Sequence, residues 1–219
     1  MTRIVIAGGH GQIALLLEAR LSARGHTVQG LLRRPDGADD LVAAGAEPVI
    51  LDLEQSSAEQ VADVIRGAYA VVFAAGAGPG SSAERKYTVD LGGSVLLADA
   101  AELAGVRRFV QVSSMGAGAP AAPGSDAAWT AYLDAKTKAE DDLRRRDLDW
   151  TIIRPGGLLN DPGLGLVDLA PHTGGGTVPR ADVAEVLAEL LDQGAAVGQT
   201  LELVSGAVPI LQAVQAWKG

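Results

Sequence analysis

The sequence predicts an α/β fold, a doubly wound parallel sheet forming a single domain. Three observations carry that expectation. Short apolar runs alternate with helical stretches from end to end. The runs are apolar throughout, as strands covered by helices on both faces must be. The chain has 219 residues, 47% hydrophobic and 21% charged, enough to bury a sizeable core and to exclude disorder as the dominant state.

Residues 3–7 (RIVIA) form a β-branched run stopped by glycines, the first strand. Residues 11–24 place Ile13, Leu16, Leu17 and Leu21 at helical spacing, and Gly25 ends that helix. Strand two spans 27–32, followed by a short helix at 39–44 closed by Gly45 and by strand three at 49–51. A helix is expected at 57–66, capped by Ser56 or Ser57. Strand four covers 69–73, a long helix 84–104, and strand five 107–112. A helix with a charged outer face runs over 129–146, and strand six over 150–153 stops at Pro155. The pattern then loosens through the glycine- and proline-rich stretch 160–179. A helix at 180–191, with Asp182 as its cap, a strand at 200–204 and a helix at 210–217 complete the chain. Right-handed crossovers turn such an order into a doubly wound sheet. Without repeats or a long linker, the expectation is one domain over 1–219, with 156–179 as a substrate-side loop region.

The formal net charge is −9, from 27 acidic and 18 basic residues, and aromatics are 4%. Such a surface repels phosphate backbones, so neither nucleic acid nor an anionic membrane is an expected partner. There is no cysteine. That excludes disulfides, thiolate nucleophiles and cysteine-ligated metals, and fits the reducing cytoplasm as the expected location. The apolar start is interrupted at 8–12 and reads as neither a signal peptide nor a membrane span. His172 has no companion histidine or carboxylate in sequence to mark a metal site, and none is expected.

Strand one runs directly into Gly8, Gly11 and Ala14 at three-residue spacing. Glycine at 8 permits a tight turn, and glycine at 11 permits close approach of a diphosphate. A small residue at 14 lets helix pack on strand. Gln12 and Ile13 open the helix, whose N–H groups face that negative charge. This is the dinucleotide-binding turn of a Rossmann fold. His10 lies inside it, either reaching the diphosphate or simply exposed. NAD sites place an acid at the end of strand two. Here Arg33 and Arg34 stand there instead, suited to a 2′-phosphate through charge-assisted hydrogen bonds. NADP(H) is therefore favoured, with NAD(H) the alternative.

Strand five delivers Ser114 at its carboxyl end, where such sheets bind ligands. Tyr132 and Lys136, four apart, share one helix face. A free phenol titrates near 10, and a neighbouring ammonium brings it toward neutral pH, where it can exchange a proton. A serine hydroxyl beside it can hold the substrate oxygen.

Together these residues resemble the short-chain dehydrogenase/reductase superfamily, in its atypical branch of small sugar-epimerase-like, flavin-reductase-like and NmrA-like proteins. The resemblance spans about residues 2–204. It rests on Gly8, Gly11 and Ala14, Arg33, Asp52-Leu53, Ala74-Ala75-Gly76, Val89-Asp90, the run RRFVQVSS, YLDAK, DWTIIRPGGLLND and PRADVAEVLAELL. It implies that Asp52 and Leu53 flank the adenine and that Ala74, Ala75 and Gly76 line the nicotinamide ribose. It further implies that Lys136 hydrogen-bonds that ribose and that Pro155 and Gly156 lie beside the carboxamide. Asp52 has a second reading as a helix cap. Sugar-nucleotide enzymes usually carry a larger C-terminal substrate domain, whereas about 60 residues follow Pro155 here.

The expected activity is that of an NADP(H)-dependent oxidoreductase acting on a small carbonyl, quinone or flavin-like acceptor, with Tyr132, Lys136 and Ser114 catalytic. The alternatives are an NAD(P)H-sensing regulator without catalysis and an epimerase- or dehydratase-like enzyme. The expected partner is a small-molecule substrate; monomer and homodimer both stay open.

Overall fold

The computed structural model describes residues 2–78 and 80–218; Met1, Pro79 and Gly219, which belong to the expected 1–219 domain, lie outside the described residues. Its first half alternates as the pattern requires. The elements are β1 (Arg3–Ala7), α1 (Gln12–Ala23), β2 (Thr27–Leu32), α2 (Ala38–Ala43), β3 (Glu47–Ile50), α3 (Ala58–Ile65) and β4 (Ala70–Phe73). A helical arm follows, made of one α-turn α4 (Ala83–Arg85), a π segment (Lys86–Gly92) and α5 (Gly93–Ala104). Then come β5 (Arg108–Val112), α6 (Ala127–Arg144), β6 (Asp149–Pro155), β7 (Gly157–Leu159), β8 (Leu166–Ala170) and β9 (Thr177–Pro179). The chain closes with α7 (Arg180–Gln193), β10 (Gln199–Ser205), β11 (Val208–Pro209) and α8 (Ile210–Gln215).

Among the described residues the main sheet has nine strands, ordered β11-β8-β10-β6-β5-β4-β1-β2-β3. The run from β3 to β10 is parallel. The sheet is thus mostly parallel rather than wholly so, because β8 and β11 add antiparallel pairings beyond β10. Of these, β8, with the small β7–β9 pair, occupies the stretch 156–179 expected to be loop. Glycines and prolines there punctuate strands too short to show a period. Chain order reverses between β1 and β4, which opens a crevice at the carboxyl ends of those strands.

Side-chain alternation splits the core in two. Ile4, Ile6, Val72 and Val110 face α1, α7 and α8. Val5, Val71, Phe73 and Phe109 face α3, α5 and the end of α6. Both faces are therefore dry, and the crevice is where main-chain donors stay available.

The long helix expected over 84–104 is present as an arm, but its middle winds as a π segment. The cap of α3 is Ser57, which accepts from Gln60 N–H while the Gln60 side chain accepts from Ser57 N–H. Asp182 does not cap α7. It lies inside the first turn, buried, and accepts from the N–H groups of Leu164 and Gly165 at 2.9 and 3.0 Å. It thereby fastens the approach to β8 onto α7.

Candidate active site

The glycine turn joins β1 to α1. Gly8 has φ +83°, and a Cβ there would stand 2.6 Å from the Ala75 Cα, so glycine is required both by conformation and by close approach. Gly8 and Gly9 N–H donate to the Leu31 carbonyl and Gly11 N–H to the Gly8 carbonyl, which sets the turn. Gly11 starts α1 in extended geometry with no side-chain cap and no acid in the first turn. The first N–H groups, including those of Gln12 and Ile13, stay open to an anion. A Cβ on Gly11 would lie 3.8 Å from the Ala74 carbonyl, which places Ala74 and Ala75 against the turn. This cradle fits a dinucleotide diphosphate. His10 pairs with Asp40 at 2.7 Å across the turn.

Beneath the turn, Glu18 is fully buried, and among the described residues neither carboxyl oxygen has a hydrogen-bond partner. A Cβ on Gly9 would come within 2.9 Å of its Oε1 and one on Gly30 within 2.5 Å, so those glycines make room for it. Burial pushes its carboxyl up to about 8.

At the other end of the crevice, α6 presents Tyr132 and Lys136. The Lys136 ammonium is 5.8 Å from the Tyr132 ring centroid and 5.7 Å from that of Phe73, at the end of β4. It donates to the Val112 carbonyl at 3.2 Å and pairs with Asp90 at 3.2 Å, the two side chains 4% and 1% exposed. Asp90 also accepts from Ala77 N–H at 3.0 Å, and Gly76 leaves space for its carboxylate. One buried acid thus ties the 74–77 loop to the lysine. A second ammonium, Lys86, lies 5.5 Å from the Tyr132 centroid and donates to the Gly78 carbonyl. Trp129 stacks on Tyr132 at 5.3 Å, and its indole is half open to solvent.

Of the two serines after β5, Ser113 is buried and donates to Glu140 at 2.6 Å, while Glu140 also holds Arg154. Ser114 is half-buried and donates to the Met115 carbonyl at 3.2 Å. Pro155 ends β6 beside this loop, its carbonyl accepting from Met115 N–H. Gly156 has a packing reason of its own, because a Cβ there would overlap the Gly176 carbonyl.

Asp52 accepts from Glu54 N–H at 3.0 Å and shapes the turn after β3 rather than capping α3; Leu53 packs on the α5 side of the core. Arg33 and Arg34 are exposed just beyond β2, Arg33 reaching Glu54 at 3.4 Å and Arg34 reaching Asp36 at 3.8 Å. The structure therefore brings together two groups at opposite ends of the crevice: Tyr132, Lys136 and Gly76 at one, Arg33 and Arg34 at the other. Lys86 and Glu54 carried no sequence signal. Asp90 did, as half of the Val89-Asp90 motif, but its partner lies 46 residues away. Among the described residues no cluster suits a metal ion, and no helix is long and apolar enough to cross a membrane.

A family model described as NAD(P)H-binding matches residues 8–194, from the glycine turn through α7. The chain belongs to this NAD(P)H-binding family. Within it, the chain falls in the atypical branch of the short-chain dehydrogenases/reductases. It is 33% identical to the uncharacterized sugar epimerase YhfK of Bacillus subtilis, over 97% of this chain and 99% of that one. Among solved structures, an NAD-dependent epimerase/dehydratase candidate from Bacillus halodurans superposes with TM-score 0.91 at 35% identity, covering 99% of this chain and 100% of the other. The oxidoreductase ylbE from Lactococcus lactis gives 0.86 at 26%, covering 98% and 95%. A nicotinamide cofactor thus belongs to this family member.

Proposed function

We propose that the protein is an NADP(H)-dependent oxidoreductase acting on a small carbonyl, quinone or flavin-like acceptor. The observation that carries this reading is Tyr132, half-buried, flanked by the Lys86 and Lys136 ammoniums at the carboxyl end of the sheet. When bound, the nicotinamide supplies the hydride. Tyr132 holds the proton at its phenol oxygen and passes it to the substrate oxygen. Ser114 orients that oxygen, since Ser113 is committed to Glu140. Lys136 holds the cofactor ribose, and Ala74, Ala75, Gly76, Pro155 and Gly156 border it. The turn at Gly8, Gly11, Gln12 and Ile13 takes the diphosphate, and Asp52 and Leu53 border the adenine. Arg33 and Arg34 favour the 2′-phosphate. The 156–179 segment would border the substrate.

YhfK bears an epimerase name, but reduction is favoured here. Most residues after Pro155 are spent on β8, β10, β11, α7 and α8, which complete the main sheet and its cover. Little of this segment is left to build a nucleotide-sugar pocket.

Single-turnover NADPH oxidation against aldehydes, ketones, quinones and flavins tests the proposal. Tyr132→Phe is expected to lower carbonyl reduction by about 10²–10⁴ while cofactor binding persists. Unchanged carbonyl reduction would remove Tyr132 from the chemistry. Quinone or flavin reduction alone would mean hydride donation without an acid, and tight NADPH binding with no turnover would favour a sensor.

A further inference from the structure

Three side chains from separate elements converge on one carboxylate beyond β2 and β3. Glu54 accepts from Thr88 Oγ1 at 2.6 Å and from Arg85 at 2.7 Å. It also accepts from Arg33 at 3.4 Å. Hydrogen bonds from Thr88, then from Arg85, hold its carboxyl below the usual range, so it is charged at neutral pH. Arg85 and Thr88 belong to the helical arm, so Glu54 is anchored on that side by two short bonds. Arg33 is its loosely held partner, on the longest of the three contacts and with a side chain 41% exposed. Arg33 also leaves the end of β2, where a doubly wound fold reads the 2′ position of the adenosine ribose.

A guanidinium offers a fixed fork of donors, and each donor spent on Glu54 is withdrawn from any other anion. A 2′-phosphate carries close to two negative charges and must approach this same fork, beside an anchored carboxylate. An unphosphorylated ribose meets no such conflict, because its hydroxyl can donate to a carboxylate.

We infer that Glu54 sets the cofactor preference of this site by competing with the 2′-phosphate of NADP(H) for Arg33, Arg85 and Thr88 holding it in place. The inference rests on the proposed binding of the adenosine ribose at the end of β2, and it makes Glu54 a brake on the NADP(H) preference that Arg33 creates. Arg33 alone would give a wide preference; with Glu54 beside it, the preference is narrowed.

The test is a fluorescence titration of NADPH and NADH against the unmodified protein, Glu54→Gln, Arg33→Ala and the double variant. Glutamine keeps the shape and removes the charge. Glu54→Gln is expected to tighten NADPH about tenfold, the equivalent of roughly 1.4 kcal/mol, and to leave NADH equal or weaker. NADH is the internal control for folding, because a damaged fold weakens both cofactors together. In the Arg33→Ala background the same change is expected to alter NADPH binding less than about twofold, since the contested guanidinium is gone. An unchanged ratio of the two affinities in Glu54→Gln, an equal shift of both, or a full tenfold gain persisting without Arg33 would each overturn the inference. Tighter NADH than NADPH binding by the unmodified protein would defeat the NADP(H) preference, yet the tenfold change of ratio in Glu54→Gln would still uphold the competition.

Discussion

The two ends of the crevice are built in opposite ways. At the Tyr132 end, Lys136 and Asp90 are sealed at 4% and 1% exposure, held by the ends of β4 and β5 and by the 74–77 loop. At the Arg33 end, the guanidiniums stand in solvent and their carboxylate contacts are long, 3.4 and 3.8 Å. A buried pair fixes a geometry strongly, because removing one partner strands the other without water. An exposed pair fixes little and can be exchanged for another anion. The contrast teaches that the Tyr132 end is positioned by the fold itself. The Arg33 end is a surface arrangement that a substitution can retune without disturbing the core.

The sharpest way to break that comparison is Asp90→Ala. Lys136 loses its buried counter-charge, and a loss of about 3–5 kcal/mol is expected. For a chain of this size that lowers Tm by roughly 10 °C, read from a circular dichroism melt. A change below about 2 °C would show the sealed end to be no stiffer than the open one.

Glu18 supplies the next largest effect, beneath the turn between the two ends. Its carboxyl is raised from 4.5 to about 8 in the folded protein. The folded state keeps a proton that the unfolded chain releases, so stability from this group is full below pH 4.5 and falls as pH rises toward 8. The span corresponds to a loss on the order of 4 kcal/mol. Glu18→Gln is expected to flatten this slope, so urea denaturation of the variant and the unmodified protein should diverge from pH 5 to 8.5. Parallel curves over that range would mean that Glu18 does not stay protonated in the fold.

Arg33→Ala is expected to have the smallest effect on the fold and a selective one on binding. An exposed ion pair is worth about 0–1 kcal/mol, so the melt should barely move. NADPH should weaken by about 10- to 100-fold, from a lost charge-assisted contact of roughly 1.5–3 kcal/mol, with NADH nearly unchanged. Equal loss of both cofactors would put the ribose elsewhere.

Most of the fold was legible because its signals are local. The β-branched runs, the glycines that end helices and the turn at Gly8 and Gly11 each speak within a few residues. Tyr132 and Lys136 were legible for the same reason, being one helical turn apart. Asp90 entered as a motif without a role. Its ion pair is long-range, and the π winding over Lys86–Gly92 shifts which residues of the arm face α6. Glu18 left a readable trace, a charge on the same helix stripe as Ala14, Leu17 and Leu21, which are all buried. The strands β8 and β11 gave none, because their pairing is decided by the distant β10 and, for β11, by β8.

The sheet carries a proline at each of its two margins, Pro48 in β3 and Pro209 in β11. Proline has no N–H to give, so the outermost row of main-chain donors is broken on both sides. An open edge is what lets one chain template another into a continuous ribbon. Here both edges are short, four and two residues, and interrupted, and the chain bears a net charge of −9. Copies of this protein that meet in a crowded solution are thereby turned away from strand-to-strand stacking.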